Sequence, residues 1–275
     1  MGALMGGREG TLVTVSGQTQ PRYAIEQDGL LRLRLLNASA SRFYRLSLEG
    51  HSMHIIATDG GSLAVPQQVD ELLLAPGERR DVLILGSRAG GVFRLMNLPY
   101  NRGSAGMMGG TLGSRTAFEI ASVAYEGRAA LPRRVPQALG DVERLPAARA
   151  RRTFVLSETM GMVPGRGMGM RFLINGREFD HTRIDDRVQL GDIEEWEYIN
   201  NTDMDHPMHV HTNAFQRVGA DGPAEPAWLD GIVVPARRRE RIRIRFTDFV
   251  GATVQHCHIL DHEDLGMMST MQIEG

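Results

Sequence analysis

His256-Cys257-His258-Ile259-Leu260-Asp261-His262-Glu263-Asp264-Leu265-Gly266-Met267 contains three histidines, the single cysteine of the chain and a methionine. Ala252-Thr253-Val254-Gln255 leads into it with the composition of a β-strand. Upstream lies a second cluster, His206-Pro207-Met208-His209-Val210-His211, so six of the nine histidines fall in two short windows. Neutral imidazoles and a thiolate bind copper strongly, and two histidines, one cysteine and a weak axial methionine are the ligands of a blue-copper electron-transfer centre. The two windows therefore read as copper-binding segments carried on strands.

The strand reading sorts the ligands. Successive side chains on a strand point to opposite faces. His256 and His258 then share one face and Cys257 points to the other, while His209 and His211 form a second same-face pair. Cys257 meets His262 and Met267 once the chain turns back, and His206 completes that set from the upstream window. His209, His211, His256 and His258 form an all-imidazole cluster. The backbone around Cys257 joins the two sites by a short covalent route. Zinc competes for any single histidine pair, but it leaves Met267 and the sharing of one strand by two clusters unexplained.

Outward from this stretch the chain is a succession of short strands. Leu31-Arg32-Leu33-Arg34-Leu35 alternates with period two, Arg42 to Leu48 and His54 to Ala57 follow, and Asp59-Gly60-Gly61 and Pro76-Gly77 mark turns. Arg80 to Leu85, Phe93 to Met96 and Ala117 to Ile120 complete the first half. The second half returns to strands at Thr153 to Leu156, Arg171 to Ile174, Glu194 to Ile199 and Arg241 to Phe246. Such spacing without long helical periodicity indicates an all-β chain of sandwich or barrel type. Pro132, Pro136, Gly140 and Pro146 interrupt residues 127–152, which read as an exposed connection between one domain over 1–126 and another over 153–275. The halves also repeat. Gly29 to Asn37 matches Gly191 to Asn200, Leu74 to Arg80 matches Val234 to Glu240, and Gly50 to Ile56 lies over Asp205 to His211. Arg94-Leu95-Met96 falls near His256-Cys257-His258, so the first copy lacks the cysteine strand.

Composition narrows the classes. A net charge of −2 argues against a nucleic-acid surface, and no run of about 18 apolar residues is present to span a bilayer. One cysteine excludes an internal disulfide. Met1 to Gly7 has no leader-like character. His51, His54 and His181 read as structural or surface residues. Met107, Met108, Met160, Met162, Met168 and Met170 lie in Gly-rich stretches; thioethers suit Cu(I), although a plain surface loop is the simpler reading.

The two histidine motifs, together with Asn37-Ala38-Ser39, Gly50-His51, Ala57-Thr58-Asp59-Gly60 and Leu74-Ala75-Pro76-Gly77-Glu78, resemble the multicopper oxidase family, and within it the bacterial laccases. The resemblance covers nearly the whole chain and implies two cupredoxin-like Greek-key domains. It implies a type 1 blue copper held by His206, Cys257, His262 and Met267, a type 2 copper at His209 and a type 3 pair at His211, His256 and His258. Glu263 matches an acidic position thought to relay protons. The implied activity is laccase-like: phenols, aromatic amines or Cu(I) give single electrons at Cys257, and dioxygen is reduced to water. The family builds its trinuclear cluster from four His-x-His pairs, whereas this sequence has two, at 209/211 and 256/258. The chain is therefore expected to match the second and third domains of a three-domain laccase, with a first domain or another chain supplying the other histidines. Members are usually exported, which implies a periplasmic or secreted protein. The rival reading is a blue-copper electron-transfer or copper-binding protein without oxidase activity as an isolated chain.

Overall fold

A computed structural model describes residues 5–104, 112–163, 167–219 and 222–275. Met107 and Met108 lie outside the described residues. Among the described residues no helix is long and apolar enough to cross a membrane.

Two β-sandwiches follow one another. In the first, β1 (Arg22–Ile25), β9 (Phe118–Tyr125), β8 (Val92–Leu98), β3 (Tyr44–Leu48) and β6 (Leu72–Leu74) form one sheet in that spatial order. The facing sheet runs β2 (Leu30–Leu36), β7 (Arg79–Leu85), β4 (Met53–Thr58), β5 (Gly61–Val69). In the second sandwich the order is β12 (Asp186–Gln189), β19 (Met268–Glu274), β18 (Gly251–Cys257), β14 (His206–Val210), β16 (Gly231–Val234). Its other sheet runs β11 (Gly167–Ile174), β10 (Ala150–Val163), β13 (Ile193–Asn200), β17 (Arg239–Arg245), β15 (Phe215–Val218). One short helix, α1 (Leu260–Asp264), follows β18. Strands remote in sequence lie side by side, as cupredoxin-like Greek-key connections require.

Alternation explains the sheets. In β2 the leucines at 31, 33 and 35 pack against the first core while Arg32 and Arg34 face out to Asp81. That core gathers Leu46, Leu48, Met53, Val82 and Ile84; the second gathers Phe154, Phe172, Trp196, Tyr198, Phe215 and Cys257. Full burial of one such aromatic stabilises the fold by about 1.5–3 kcal/mol. Phe43 and Ala75 of the first sandwich belong to the second core, so the sandwiches share apolar contacts. Residues 126–149 contain no strand and are mostly exposed. Leu145 is the exception: it is buried, its N–H donates to Gln216 Oε1 (2.8 Å), and its carbonyl accepts from Arg243 (3.1 Å).

The internal repeat is present, but one part of its predicted register is wrong. Asn37 Nδ2 donates to the carbonyl of Leu74 and Asn200 Nδ2 to that of Val234, each at 2.9 Å. Ser39 N–H returns to Asn37 Oδ1 as Thr202 N–H does to Asn200 Oδ1. Tyr44 pairs with Leu74 as His206 pairs with Val234. The counterpart of His206–Val210 is therefore Tyr44–Leu48, not the stretch from Gly50 to Ile56. Leu46 pairs with Asn97 as Met208 pairs with Cys257, so Asn97 rather than Leu95 stands in the cysteine position. Similar histidine spacing suggested the first overlay; strand pairing and the two asparagine clamps fix the true one.

Candidate metal centres

β14 and β18 are hydrogen-bonded neighbours, with Met208 opposite Cys257 and His209 opposite His256. Alternation then sends His206 and Met208 to the Cys257 side, and His209 to the side of His256. His206, Cys257 and His262 converge in the buried interior, with ligand atoms within 4.8 Å of one another. His206 Nδ1 and His262 Nδ1 lie 3.6 and 3.7 Å from Cys257 Sγ and 3.2 Å from each other.

The outer edges of both rings fix their tautomers. His262 Nε2–H donates to the Met5 carbonyl at 3.0 Å, which leaves Nδ1 as the lone pair facing sulfur. Thr202 Oγ1 sits within reach of Asn200 Oδ1 and the Met204 carbonyl, both acceptors, so its single proton goes to one of them. Oγ1 thus accepts from His206 Nε2–H at 2.8 Å, and His206 Nδ1 is also a bare lone pair. Burial pushes His262 down to about 3 and His206 well below the ordinary imidazole range, and raises the Cys257 thiol to about 12. Phe172 stacks on the His262 ring at 4.0 Å.

The loop after Cys257 is closed by its backbone. Cys257 N–H donates to the Met267 carbonyl (3.0 Å) and Met267 N–H to that of His262 (2.9 Å). Gly266 has φ +109, and a Cβ there would lie 2.9 Å from the Phe172 carbonyl, so glycine is required. Met267 is fully buried in the core that holds Cys257.

The second group forms on the other face. His209, His256 and His258 also have ligand atoms within 4.8 Å of one another. Adjacent His211 places Nε2 at 2.9 Å from His256 Nε2. His209 Nδ1–H donates to the Asp230 carbonyl (2.7 Å) and His256 Nδ1–H to the Cys257 carbonyl (3.0 Å), leaving both Nε2 atoms as lone pairs. Burial, then the neighbouring His209 and His256, hold His258 at about 4. Glu263 Oε2 lies 3.5 Å from His256 Nδ1, and burial raises its carboxyl above the ordinary range. All eight residues singled out in the two windows as ligands thus lie in or beside one of two compact groups, with Glu263 next to the second. His51 is elsewhere, between the Tyr125 hydroxyl and the Glu49 carbonyl (both 2.7 Å), and His54 and His181 join neither group.

Comparison with known proteins follows the same outline. Family models described as multicopper oxidase match residues 2–114 and 152–274. The chain belongs to the multicopper oxidase family. Among multicopper oxidases it is 28% identical to one from Staphylococcus haemolyticus over 97% of this chain and 53% of that protein. It is 30% identical to a laccase of Bacillus subtilis over 96% of this chain and 54% of the laccase. A multicopper oxidase from Campylobacter jejuni, described as a metallo-oxidase, superposes with a TM-score of 0.85 at 29% identity, covering all of this chain and 59% of that one. The chain thus spans about half the length of the curated relatives it matches. Membership in this family implies copper as the metal.

Sequence reading did not find Thr202, Phe172, Arg79, Asp230 or Gly77, whose Cβ would lie 1.7 Å from His258 Nδ1. None has a metal-ligand side chain in a recognisable spacing, and each reaches the groups from a separate strand or turn.

Proposed function

We propose that the protein is a laccase-like copper oxidase, with type 1 copper held by His206, Cys257, His262 and Met267. In the same reading His209 serves a type 2 copper, and His211, His256 and His258 a type 3 pair. The donor set fits. A first-row metal bonded at about 2.0–2.3 Å to nitrogen and sulfur in near-tetrahedral geometry leaves roughly 3.6 Å between those ligand atoms, and the two nitrogen–sulfur distances are 3.6 and 3.7 Å. Two bare imidazole nitrogens and a thiol, with Met267 buried in the same core, match the blue-copper preference. Bound copper would supply one-electron exchange at the first group and dioxygen reduction at the second.

The single observation that carries this reading is the position of Cys257, bonded through its backbone to a histidine of the other group on each side. The residues contribute defined tasks. Met5 and Thr202 hold the two rings with Nδ1 inward. Burial keeps water from Cys257. Glu263, its carboxyl raised by burial, stands 3.5 Å from His256, where dioxygen reduction would consume protons. His51, His54 and His181 being elsewhere, any further imidazole for the second group comes from another segment or a partner chain. Export to the periplasm or the exterior belongs to the same reading and rests on family resemblance.

Among the donors, one feature favours Cu(I). Met160 pairs with Met170 and Met162 with Met168 across the β10–β11 ribbon, which puts four thioethers on one face. Met160, Met162 and Met168 are exposed, and two residues beyond Met170 the strand reaches Phe172, stacked on His262.

The test is copper loading followed by spectroscopy and oxygen uptake. An intense visible band that Cys257→Ser removes, and oxygen consumption with Cu(I) or a phenol, are expected from the holoprotein. Copper uptake without a Cys257-dependent band would refute the site, and a normal band with no oxygen uptake under any donor would leave the electron-transfer reading. Replacing Met160, Met162 and Met168 by serine should slow Cu(I) oxidation and spare phenols; equal loss for both would remove the cuprous preference.

A further inference from the structure

We propose that Arg79, in the first sandwich, is a positioning residue for His209 in the second, acting through Asp230. The inference rests on the reading of the imidazole group as metal ligands.

The contacts form a short chain. Arg79 donates from Nη1 to Asp230 Oδ1 and from Nη2 to Oδ2, each at 2.7 Å, a two-point fork that occupies both carboxylate oxygens. The fork is itself anchored: Nη2 also reaches the Asp59 carbonyl (2.9 Å), and Arg79 N–H donates to Asp59 Oδ1 (2.7 Å). The Asp230 carbonyl accepts from both His209 Nδ1 (2.7 Å) and Val210 N–H (3.0 Å). Two residues earlier, the Trp228 carbonyl accepts from Thr58 Oγ1 (2.7 Å) and Gly60 N–H (2.9 Å). The first sandwich therefore holds the segment 228–230 at both ends.

What the fork prevents explains its use. Asp230 Oδ1 lies 3.6 Å from His209 Nδ1, the nitrogen whose proton belongs to the Asp230 carbonyl. A carboxylate freed from Arg79 is a stronger acceptor than a carbonyl and is within a side-chain rotation of that proton. Capture would tilt the ring and turn Nε2 away from His256 and His258. With both oxygens occupied, the carbonyl remains the partner and Nε2 keeps its aim. Lysine cannot reproduce this, because an ammonium is a point donor rather than a planar fork.

The experiment uses the full chain and two variants, Arg79→Met and Arg79→Lys. In the metal-free protein, NMR should show His209 as the Nδ1–H tautomer in both the parent and Arg79→Met, with its Nδ1 proton resonance moved downfield in Arg79→Met as the carboxylate replaces the carbonyl as acceptor. With Cu(II), affinity at the imidazole group should fall by about 10–100-fold, as loss of a ligand-orienting partner does elsewhere, while the Cys257-dependent band keeps its intensity. Arg79→Lys should show a smaller loss in the same direction, and it decides the matter alone if Arg79→Met does not fold. A variant with the parent Nδ1 proton resonance and an affinity within about twofold of the parent would overturn the proposal. So would equal weakening of both groups, which means general loosening of the sandwiches. If the parent takes no copper at the imidazole group, the ligand reading fails by itself, and the metal-free Nδ1 proton resonance still tests the role of Arg79.

Discussion

Gly77→Ala tests how tightly the first sandwich closes on the imidazole group. The new methyl carbon would sit 1.7 Å from His258 Nδ1 and 2.1 Å from Cε1, where ordinary contact needs 3.4–4 Å. The turn has little freedom to retreat. Gly77 N–H donates to the Asn37 carbonyl (2.9 Å), Glu78 N–H to the Ala75 carbonyl (3.0 Å), and Ala75 N–H to Glu78 Oε2 (2.9 Å). Displacement of well over an ångström therefore falls on the His258 ring. Overpacking of this kind costs about 1–3 kcal/mol. Gly77 also has φ +80, where an L residue adds about 1–2 kcal/mol. The sum is about 2–5 kcal/mol, or a fall in Tm on the order of 10 °C for a chain of this size. Gly17 supplies the control, with the same φ of +80 and nothing within 4 Å of its added Cβ. Gly17→Ala should lose only the backbone part. Differential scanning calorimetry of both variants, with copper titration of the imidazole group, separates the effects. Equal stability losses together with unaltered copper uptake in Gly77→Ala would refute the close approach.

Three further outcomes follow from the same geometry. Burial holds His262 and His258 at about 3 and about 4 against an ordinary 6.5, so below pH 6.5 the unfolded metal-free chain binds protons that the folded chain does not. Stability is then lost as pH falls from 6.5 towards 3, by on the order of 5 kcal/mol through His262 alone; identical urea midpoints at pH 7 and pH 5 would contradict this. Phe172→Ala removes a fully buried ring stacked at 4.0 Å on His262 and should cost about 3–5 kcal/mol in urea unfolding; a loss below about 1 kcal/mol would show that the stack is not packed. Arg102 is 1% exposed, lies 5.7 Å over the Phe43 ring, and bears electrostatically on Cys257, His206 and His262. A nearby cation favours the reduced, more negative state of a copper–thiolate, so Arg102→Met should lower the midpoint potential of the Cys257 band and Arg102→Lys should largely preserve it. Equal shifts in both variants would assign the effect to packing rather than charge.

The division between what could and could not be read from the sequence has a physical basis. Alternation along a strand is a property of the backbone itself, so the opposite facing of Cys257 and its two histidine neighbours needs no tertiary information. The return of His262 and Met267 was readable because the loop is local. The counterpart of His206–Val210 was not, since register depends on which carbonyls Asn37 and Asn200 clamp across the sandwich. Arg79 and Asp230 are separated by 151 positions, and a bidentate pair at that distance leaves no periodic trace. Leu145 gave no signal either: a lone apolar residue among exposed neighbours looks like linker until Gln216 and Arg243 are seen to bind its backbone.

The seal over the first group bears on the lifetime of whatever it holds. His206, Cys257, His262 and Met267 have no accessible surface, and the Met5 carbonyl closes over the His262 ring from a segment 257 positions away in sequence. An ion at this group is therefore covered by the described residues around it. Exchange must wait for local opening, so residence time is set by how often the covering segments part rather than by the strength of the bonds to the ion. Loosening the residues around Met5 should speed both capture and escape while leaving the equilibrium between them nearly unchanged, which makes this cover a kinetic valve rather than a ligand.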